Sequence, residues 1–250
     1  MPASKFSLIT SLLSARHRRR KATSPPQKSA MEVLEDRALL AGNVLAKINR
    51  GGDLILTGDN LDNHIDIKLS PIGPGIRVQG LADRNGGITT INGQLHIDFV
   101  GLPFVQDDLK ANMNGGNDRV DVFIGVNGDV NAKMGSGGDY FEIGANVGER
   151  LLINTGSASG SLDAVFVTGT TVSGAATIKG GSGGQIVGID DSTFLTSLSV
   201  NTGSGDDALG IGNGDPVIVF GALKLNGGSG DDYFETPGAN APSKNFETIV

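Results

Sequence analysis

Five aspartates, Asp118, Asp139, Asp163, Asp207 and Asp232, stand at one position of a recurring unit, and Gln185 takes the same place between Asp163 and Asp207. The mean step between these positions is about 23 residues. Carboxylates can serve as general acids and bases, above all in work on sugars. Adjacent pairs such as Asp107-Asp108, Asp190-Asp191, Asp206-Asp207 and Asp231-Asp232 each offer two of them. Neighbours on a strand point to opposite faces, however, so no such pair makes a site by itself. Other chemistries are closed off. The chain has no cysteine, which excludes a disulfide scaffold, a thiolate zinc site and a cysteine nucleophile. His17, His64 and His96 have no partner histidine at metal-ligand spacing. Neither a G-x-S-x-G elbow nor a P-loop occurs.

The elements that must carry the aspartates repeat with them. Aligned on the turn glycines Gly116, Gly135, Gly156, Gly181, Gly203 and Gly228, the preceding segments show Met113, Ala132, Ile153, Ile178, Val200 and Leu225 three residues earlier. Five residues earlier stand Ala111, Val130, Leu151, Ala176, Leu198 and Leu223, and the row between is polar in five cases of six. That alternation is a strand with one buried face. After each turn a second strand offers Val120 and Val122, Phe141 and Ile143, Val165 and Val167, Val187 and Ile189, Leu209 and Ile211, and Phe234 and Thr236. A third, shorter row nine residues before the glycines reads Val126, Val147, Val172, Phe194 and Val219, with Asp107 as the exception in the first unit.

A repeat of this length with three inward rows is the perimeter of one coil of a parallel β-helix, in which like residues stack at about 4.8 Å. The expected fold is therefore all-β, a right-handed parallel β-helix of about 23-residue coils. An antiparallel sandwich also has short strands at regular spacing. It does not need the same residue type at the same place in each unit, so identity in register favours stacking. Residues 43–107 carry strand-like runs and turns without the clean period and are expected to form an irregular β cap and first strands. Residues 108–250 are expected to form six coils and an incomplete seventh, in which Phe246 matches Phe194 and the register stops at Val250. Such an uncapped edge is one that solenoids normally avoid, so it is expected to pair with further chain or another subunit. The row Asn114, Lys133, Asn154, Lys179, Asn201 and Asn226 suggests a partial amide ladder.

Gly227-Gly228-Ser229-Gly230-Asp231-Asp232-Tyr233-Phe234 fits G-G-x-G-x-D-x-U and resembles the calcium-binding nonapeptide of repeat-in-toxin proteins. The turns ending in Asp207 and Asp139 match all but the first glycine. The resemblance implies Ca²⁺ as a cofactor, with carboxylates from Asp139, Asp207 and Asp232, joined by Asp118 and Asp163 in altered turns. Gln185, the insertion before Asp163 and the single such turn per coil depart from the family pattern. Carboxylates stacked at about 4.8 Å repel by about 1 kcal/mol in water and about 3 to 4 at an effective dielectric near 20, a sign that calcium reverses. The other reading of the row is an Asx-type bond from each aspartate to the amides of its own turn, its charge screened at the surface.

Charge divides the chain. Residues 1–31 hold seven Lys/Arg and no acid; the remainder holds 13 bases against all 27 acids. An acidic body is a poor nucleic-acid binder, and no apolar run approaches the roughly 18 residues of a membrane span. Arg16 to Lys21 followed by Leu34-Glu35-Asp36-Arg37-Ala38-Leu39-Leu40 resembles the planctomycete extracellular motif. It implies that residues 1–42 are a leader and that the protein is exported or held at the cell surface. The 39 glycines mark corners, and the absence of tryptophan with only 12 aromatics suits a narrow interior. The expected function is a non-enzymatic structural or adhesive solenoid, calcium-stabilised through the aspartate row, with surface polymers or glycans as partners. The alternative is a polysaccharide-active β-helix enzyme, a lyase or hydrolase, using outward carboxylates.

Overall fold

The structure, a computed structural model, describes residues 40–212, 216–235, 243–244 and 248–249. The leader as far as residue 39, and Thr236, Phe246 and Val250, lie outside the described residues. The fold is all-β, without a helix among the described residues, and its parallel strands stack into a solenoid. The strands Leu109–Asn112, Val130–Lys133, Leu151–Asn154, Ala176–Lys179, Leu198–Asn201 and Leu223–Asn226 pair in parallel down one side. Arg119–Val122, Tyr140–Ile143, Ser157–Thr168, Ser182–Asp190, Ala208–Ile211 and Tyr233–Glu235 pair down a second side. Thr171–Val172, Thr193–Phe194 and Ile218–Val219 form a narrow third side.

Period-two alternation sends every second residue inward, and parallel pairing places each beside its equivalent one coil away. Val120, Phe141, Val165, Val187, Leu209 and Phe234 form one such column, each no more than 2 % exposed. Burial of a side chain of this kind contributes roughly 1.5–3 kcal/mol before entropy is counted. The columns merge into one continuous core from Val44 to Phe234.

The register of the first coil differs from that expected. Leu109, rather than Ala111, pairs with Val130; Ala111, rather than Met113, pairs with Ala132. The third column begins with Val105, which bridges to Val126, and Asp107 is not part of it. The reason is the corner. Asn114, with φ of +71°, occupies the place that Gly135 holds at φ of +111° in the next coil. Asparagine is among the few non-glycine residues that tolerate this region, so the glycine at Gly116 belongs two residues further on, in register with Gly137. The column Asn112, Lys133, Asn154, Lys179, Asn201 and Asn226 is correspondingly the polar one, and Asn226 Nδ2 donates to Asn201 Oδ1 at 3.1 Å.

Within residues 43–107 the structure contains a coil of the same kind. Leu54–Thr57 pairs in parallel with Leu109–Asn112, and His64–Leu69 pairs with Arg119–Val122. Beyond this leading coil the sheets continue with antiparallel pairs. Leu40–Ile48 lies against Leu54–Thr57, Gly75–Gly80 against His64–Leu69, and His96–Val100 against Gly75–Gly80. Antiparallel hairpin-like pairing turns the chain back over the end of the core, as a terminal unit must. At the other end, Ser243–Lys244 and Thr248–Ile249 continue both main sheets in parallel.

Candidate functional site

Asp118 shares the inward face with Val120 and Val122, at two and four residues' distance, and each of its equivalents stands in the same relation to its strand. All five aspartates are consequently buried at 3 % exposure or less. They are joined at both breaks in the row by amides: Gln185 is 1 % exposed, and Asn63 of the leading coil is fully buried. Each of the five aspartates accepts, through Oδ1, the backbone N–H of the residue at its position one coil earlier. Asn63 N donates to Asp118 Oδ1 at 2.8 Å, Asp118 N to Asp139 Oδ1 at 2.9 Å, and Asp139 N to Asp163 Oδ1 at 2.9 Å. Gln185 N then donates to Asp207 Oδ1 at 2.7 Å and Asp207 N to Asp232 Oδ1 at 3.0 Å. At the break, Gln185 Nε2 reaches back to Asp163 Oδ2 at 2.8 Å while Thr155 Oγ1 donates to Gln185 Oε1 at 2.9 Å.

The aspartates are therefore not surface groups capping their own turns. They are buried acceptors that tie one coil to the next, because the residue that opens an alternating strand two places before an inward valine must itself point inward. Such bonds to a carboxylate are stronger than neutral ones. They leave a second oxygen to account for. Oδ2 of Asp118 and Oδ2 of Asp139 are buried and make no hydrogen bond, at a cost of roughly 1–3 kcal/mol for a polar group so placed. Burial pushes the Asp118 carboxyl up to about 8, against its bonds from Asn63 and with help from the Asp139 charge. It pushes Asp139 up to about 7, with Asp163 adding to the effect. Asp207 is raised as well, burial outweighing the Thr202 hydroxyl. A proton on each orphaned oxygen removes the buried charge. A hard cation with oxygen ligands would do the same, and its ligands here would be those Oδ2 atoms. The neighbouring corner carbonyls already accept bonds from adjacent coils, as in Ser136 N to Asn114 O and Gly137 N to Ser157 O, both at 3.0 Å.

Among the described residues, the one group of three acids whose oxygens lie within 4.8 Å of each other is Asp53, Asp107 and Asp108. Neither its composition nor a motif marked it in the sequence, since Asp53 belongs to the leading coil. Its charge is met by Lys110, whose Nζ lies 2.7 Å from Asp53 Oδ2 and 3.0 Å from Asp108 Oδ2. The Lys110 bond holds Asp53 below the usual carboxylate range, and burial raises Asp107.

A cleft of about 780 Å³ opens on the outer face of the second sheet. Its floor carries Arg119 and Tyr140, the guanidinium lying 4.1 Å from the ring centroid. Arg119 Nε donates to both oxygens of Asp121, at 2.9 and 3.1 Å, and Tyr140 OH donates to Glu142 Oε2 at 2.8 Å. The Phe166 ring sits 5.5 Å from that of Tyr140 on the far side. One wall is the turn Asp83, Arg84 and Asn85 of the antiparallel region; the other is Gly160, Ser161 and Leu162 of the long strand Ser157–Thr168. Asp62, His64, Asn117, Asp118 and Gly138 complete the lining. This cleft was not evident from motifs. Its signal in the sequence is that the repeat breaks twice, by the 55-residue step from Asn63 to Asp118 and by the insertion before Asp163, and both breaks border it.

Fold and row together define a parallel β-solenoid with a buried polar spine. No family model matches the chain, and neither a curated protein nor a solved structure matches it. Among the described residues no helix is long and apolar enough to cross a membrane.

Proposed function

We propose that this protein is a non-enzymatic solenoid of the cell surface or the extracellular space, structural and adhesive in role, with calcium compensating its aspartate row. The observation that carries the reading is that the acids recurring through the repeat are spent on the fold. Every one of the five is buried, and its Oδ1 or its backbone is engaged with the neighbouring coil. Export rests on the leader motif Leu34–Leu40 behind its arginine cluster. Calcium rests on the turn sequence and on the orphaned oxygens of Asp118 and Asp139. Incubation with a panel of polysaccharides is expected to release neither reducing ends nor unsaturated uronides. Release that disappears when one outward carboxylate is changed overturns the non-enzymatic reading. For calcium, thermal unfolding with excess Ca²⁺ against chelator is expected to show stabilisation of about 2.7 kcal/mol at a hundredfold excess over the dissociation constant. An unchanged midpoint removes calcium from the proposal.

A second reading, an enzyme acting on polysaccharide, draws its support from the cleft, where Asp62 and Asp83 stand with Arg119 on one outer face.

A further inference from the structure

The cleft over Arg119 and Tyr140 is the place where an otherwise regular surface is interrupted. Further along the second sheet the outward rows hold only a smaller hollow of about 280 Å³, over Phe166, Ile186 and Tyr233, with no inserted turn on either side. At the cleft the turn at Asp83–Asn85 and the inserted corner at Gly160–Leu162 rise on opposite sides of the same floor. In solenoids, insertions that collect on one face commonly form the binding surface. The volume of about 780 Å³ lies in the range of small-molecule sites.

The floor is already ordered. Arg119 is held by Asp121 and lies 3.5 Å from Glu142, and Tyr140 is fixed by its hydroxyl bond and by rings or cations on both faces. Little side-chain freedom remains to be lost when a ligand arrives. Asn117 is held too: its backbone N donates to Asp62 Oδ1 at 2.7 Å, and its Oδ1 accepts from Gly138 N at 2.9 Å. The wall is free to engage. Arg84 is exposed and makes no ion pair among the described residues, and Leu162 is 60 % exposed.

The chemistry of the lining selects the ligand class. Arg84 stands with Asp62 and Asp83, Arg119 is already paired with Asp121, and Asp118, which also lines the cleft, has its carboxyl turned into the buried row, so the cleft presents no strong field of either sign. A phosphate or polyanion would meet carboxylates, and an oligocation would meet guanidinium groups. Donors and acceptors alternate around an apolar patch instead, with Asn85, Asn117, Ser161 and His64 between the charged groups and Leu162 at one side. A ligand with many hydroxyls, each both donor and acceptor, and with apolar C–H faces suits this lining. We propose that the cleft bounded by Asp83–Asn85 and Gly160–Leu162 is a binding site for a neutral oligosaccharide of two to four sugar residues.

This site rests on the proposed function only in being non-catalytic, and the experiment separates the two. The full chain is titrated calorimetrically with a panel of neutral α- and β-linked di- to tetrasaccharides, and the mixtures are then assayed for cleavage. At least one member is expected to bind with a Kd of about 1 mM or tighter. Asn85→Trp, which projects bulk into the cleft from an exposed turn, and Arg84→Ala are each expected to weaken that binding at least tenfold, the thermal midpoint staying within about 2 °C. Binding without cleavage supports both proposals. Binding with cleavage supports the site and overturns the non-enzymatic reading. A panel with no binding member, or binding that both variants leave unchanged, overturns the site.

Discussion

The N-terminal region at residues 40–107, a leading coil with the antiparallel strands beyond it, and the coils that follow manage many of their acids differently. In the first, the carboxylates on the sheet strands meet cations. Asp98 accepts two bonds from Arg77 at 2.9 and 2.7 Å, and Asp66 pairs with Lys68 at 2.5 Å. In the second, the repeated aspartates meet backbone amides one coil away and lie at 3 % exposure or less. Irregular strands present each acid with a different neighbour, so its partner is set case by case: a cation for Asp66 and Asp98, a backbone amide for Asp62 and Asp83. A stack presents every acid with the same neighbour, and an amide donor supplied by the repeat can serve them all. Neutral Asn63 and Gln185 keep the donor half of the pattern, each giving its backbone N–H to the aspartate one coil on, Asp118 and Asp207.

The largest effect that would test this contrast concerns the core on which the stack depends. Phe141→Ala is expected to cost about 3–5 kcal/mol, read by chemical denaturation of the whole chain. A loss well under 1 kcal/mol would mean that the coils are held by their polar spine instead. The spine itself is probed by a pair of variants. Asp139→Ala strands the Asp118 amide in the interior and is expected to cost about 1–3 kcal/mol. Asp139→Asn keeps the acceptor and sheds the charge, so at neutral pH without calcium it is expected to stay within about 0.5 kcal/mol of the parent. Equal losses from the two would show that charge, not the amide bond, is what the row contributes.

Titration should separate the two regions by sign. Asp118 and Asp139 have folded pKa values raised to about 8 and about 7, against about 3.9 in the unfolded chain. Between those limits the unfolded state holds fewer protons than the folded one, so calcium-free stability is expected to fall as pH rises from about 4 to about 8. Asp98, drawn down to about 2 by Arg77, contributes in the opposite sense. Its stabilisation is present above about pH 4 and is lost as pH falls through 2. Thermal midpoints across this range should show both slopes, with Asp139→Asn flattening the upper one and Asp98→Asn the lower; a midpoint that rises from pH 4 to 8 would contradict the buried row. The smallest effect belongs to the first corner. Asn114→Gly is expected to change stability by no more than about 0.5 kcal/mol, since glycine adopts the same φ at no steric cost but loses more entropy on folding.

Most of the solenoid was legible in the chain because its information is local and redundant. Val165 and Val167, two places apart and two places after Asp163, state a buried face, and the same statement made six times specifies stacking. The aspartates' burial was legible for the same reason, since Asp118, Val120 and Val122 obey one alternation, although the turn motif drew attention to a surface role. What escaped was whatever depended on a single unit. Asn114 replaced a glycine in the first corner, and nothing nearby corrected the resulting two-residue shift at Leu109 and Val105. The cleft escaped because Arg84 and Leu162, 78 positions apart in the chain, share no pattern.

By itself, the sequence determined the period, the inward columns from Val120 to Phe234 and the turning places, because pleat and corner chemistry are written residue by residue. Tertiary structure alone decided that Asn63 heads the row of Asp118, across an excursion of 55 residues. It likewise decided that two interruptions of the repeat face one another across Arg119 and Tyr140. The physical reason is that closing a long loop adds only about 0.6 kcal/mol for each doubling of its length. Chain separation therefore carries almost no information about which strands meet; the fit of the columns settles it.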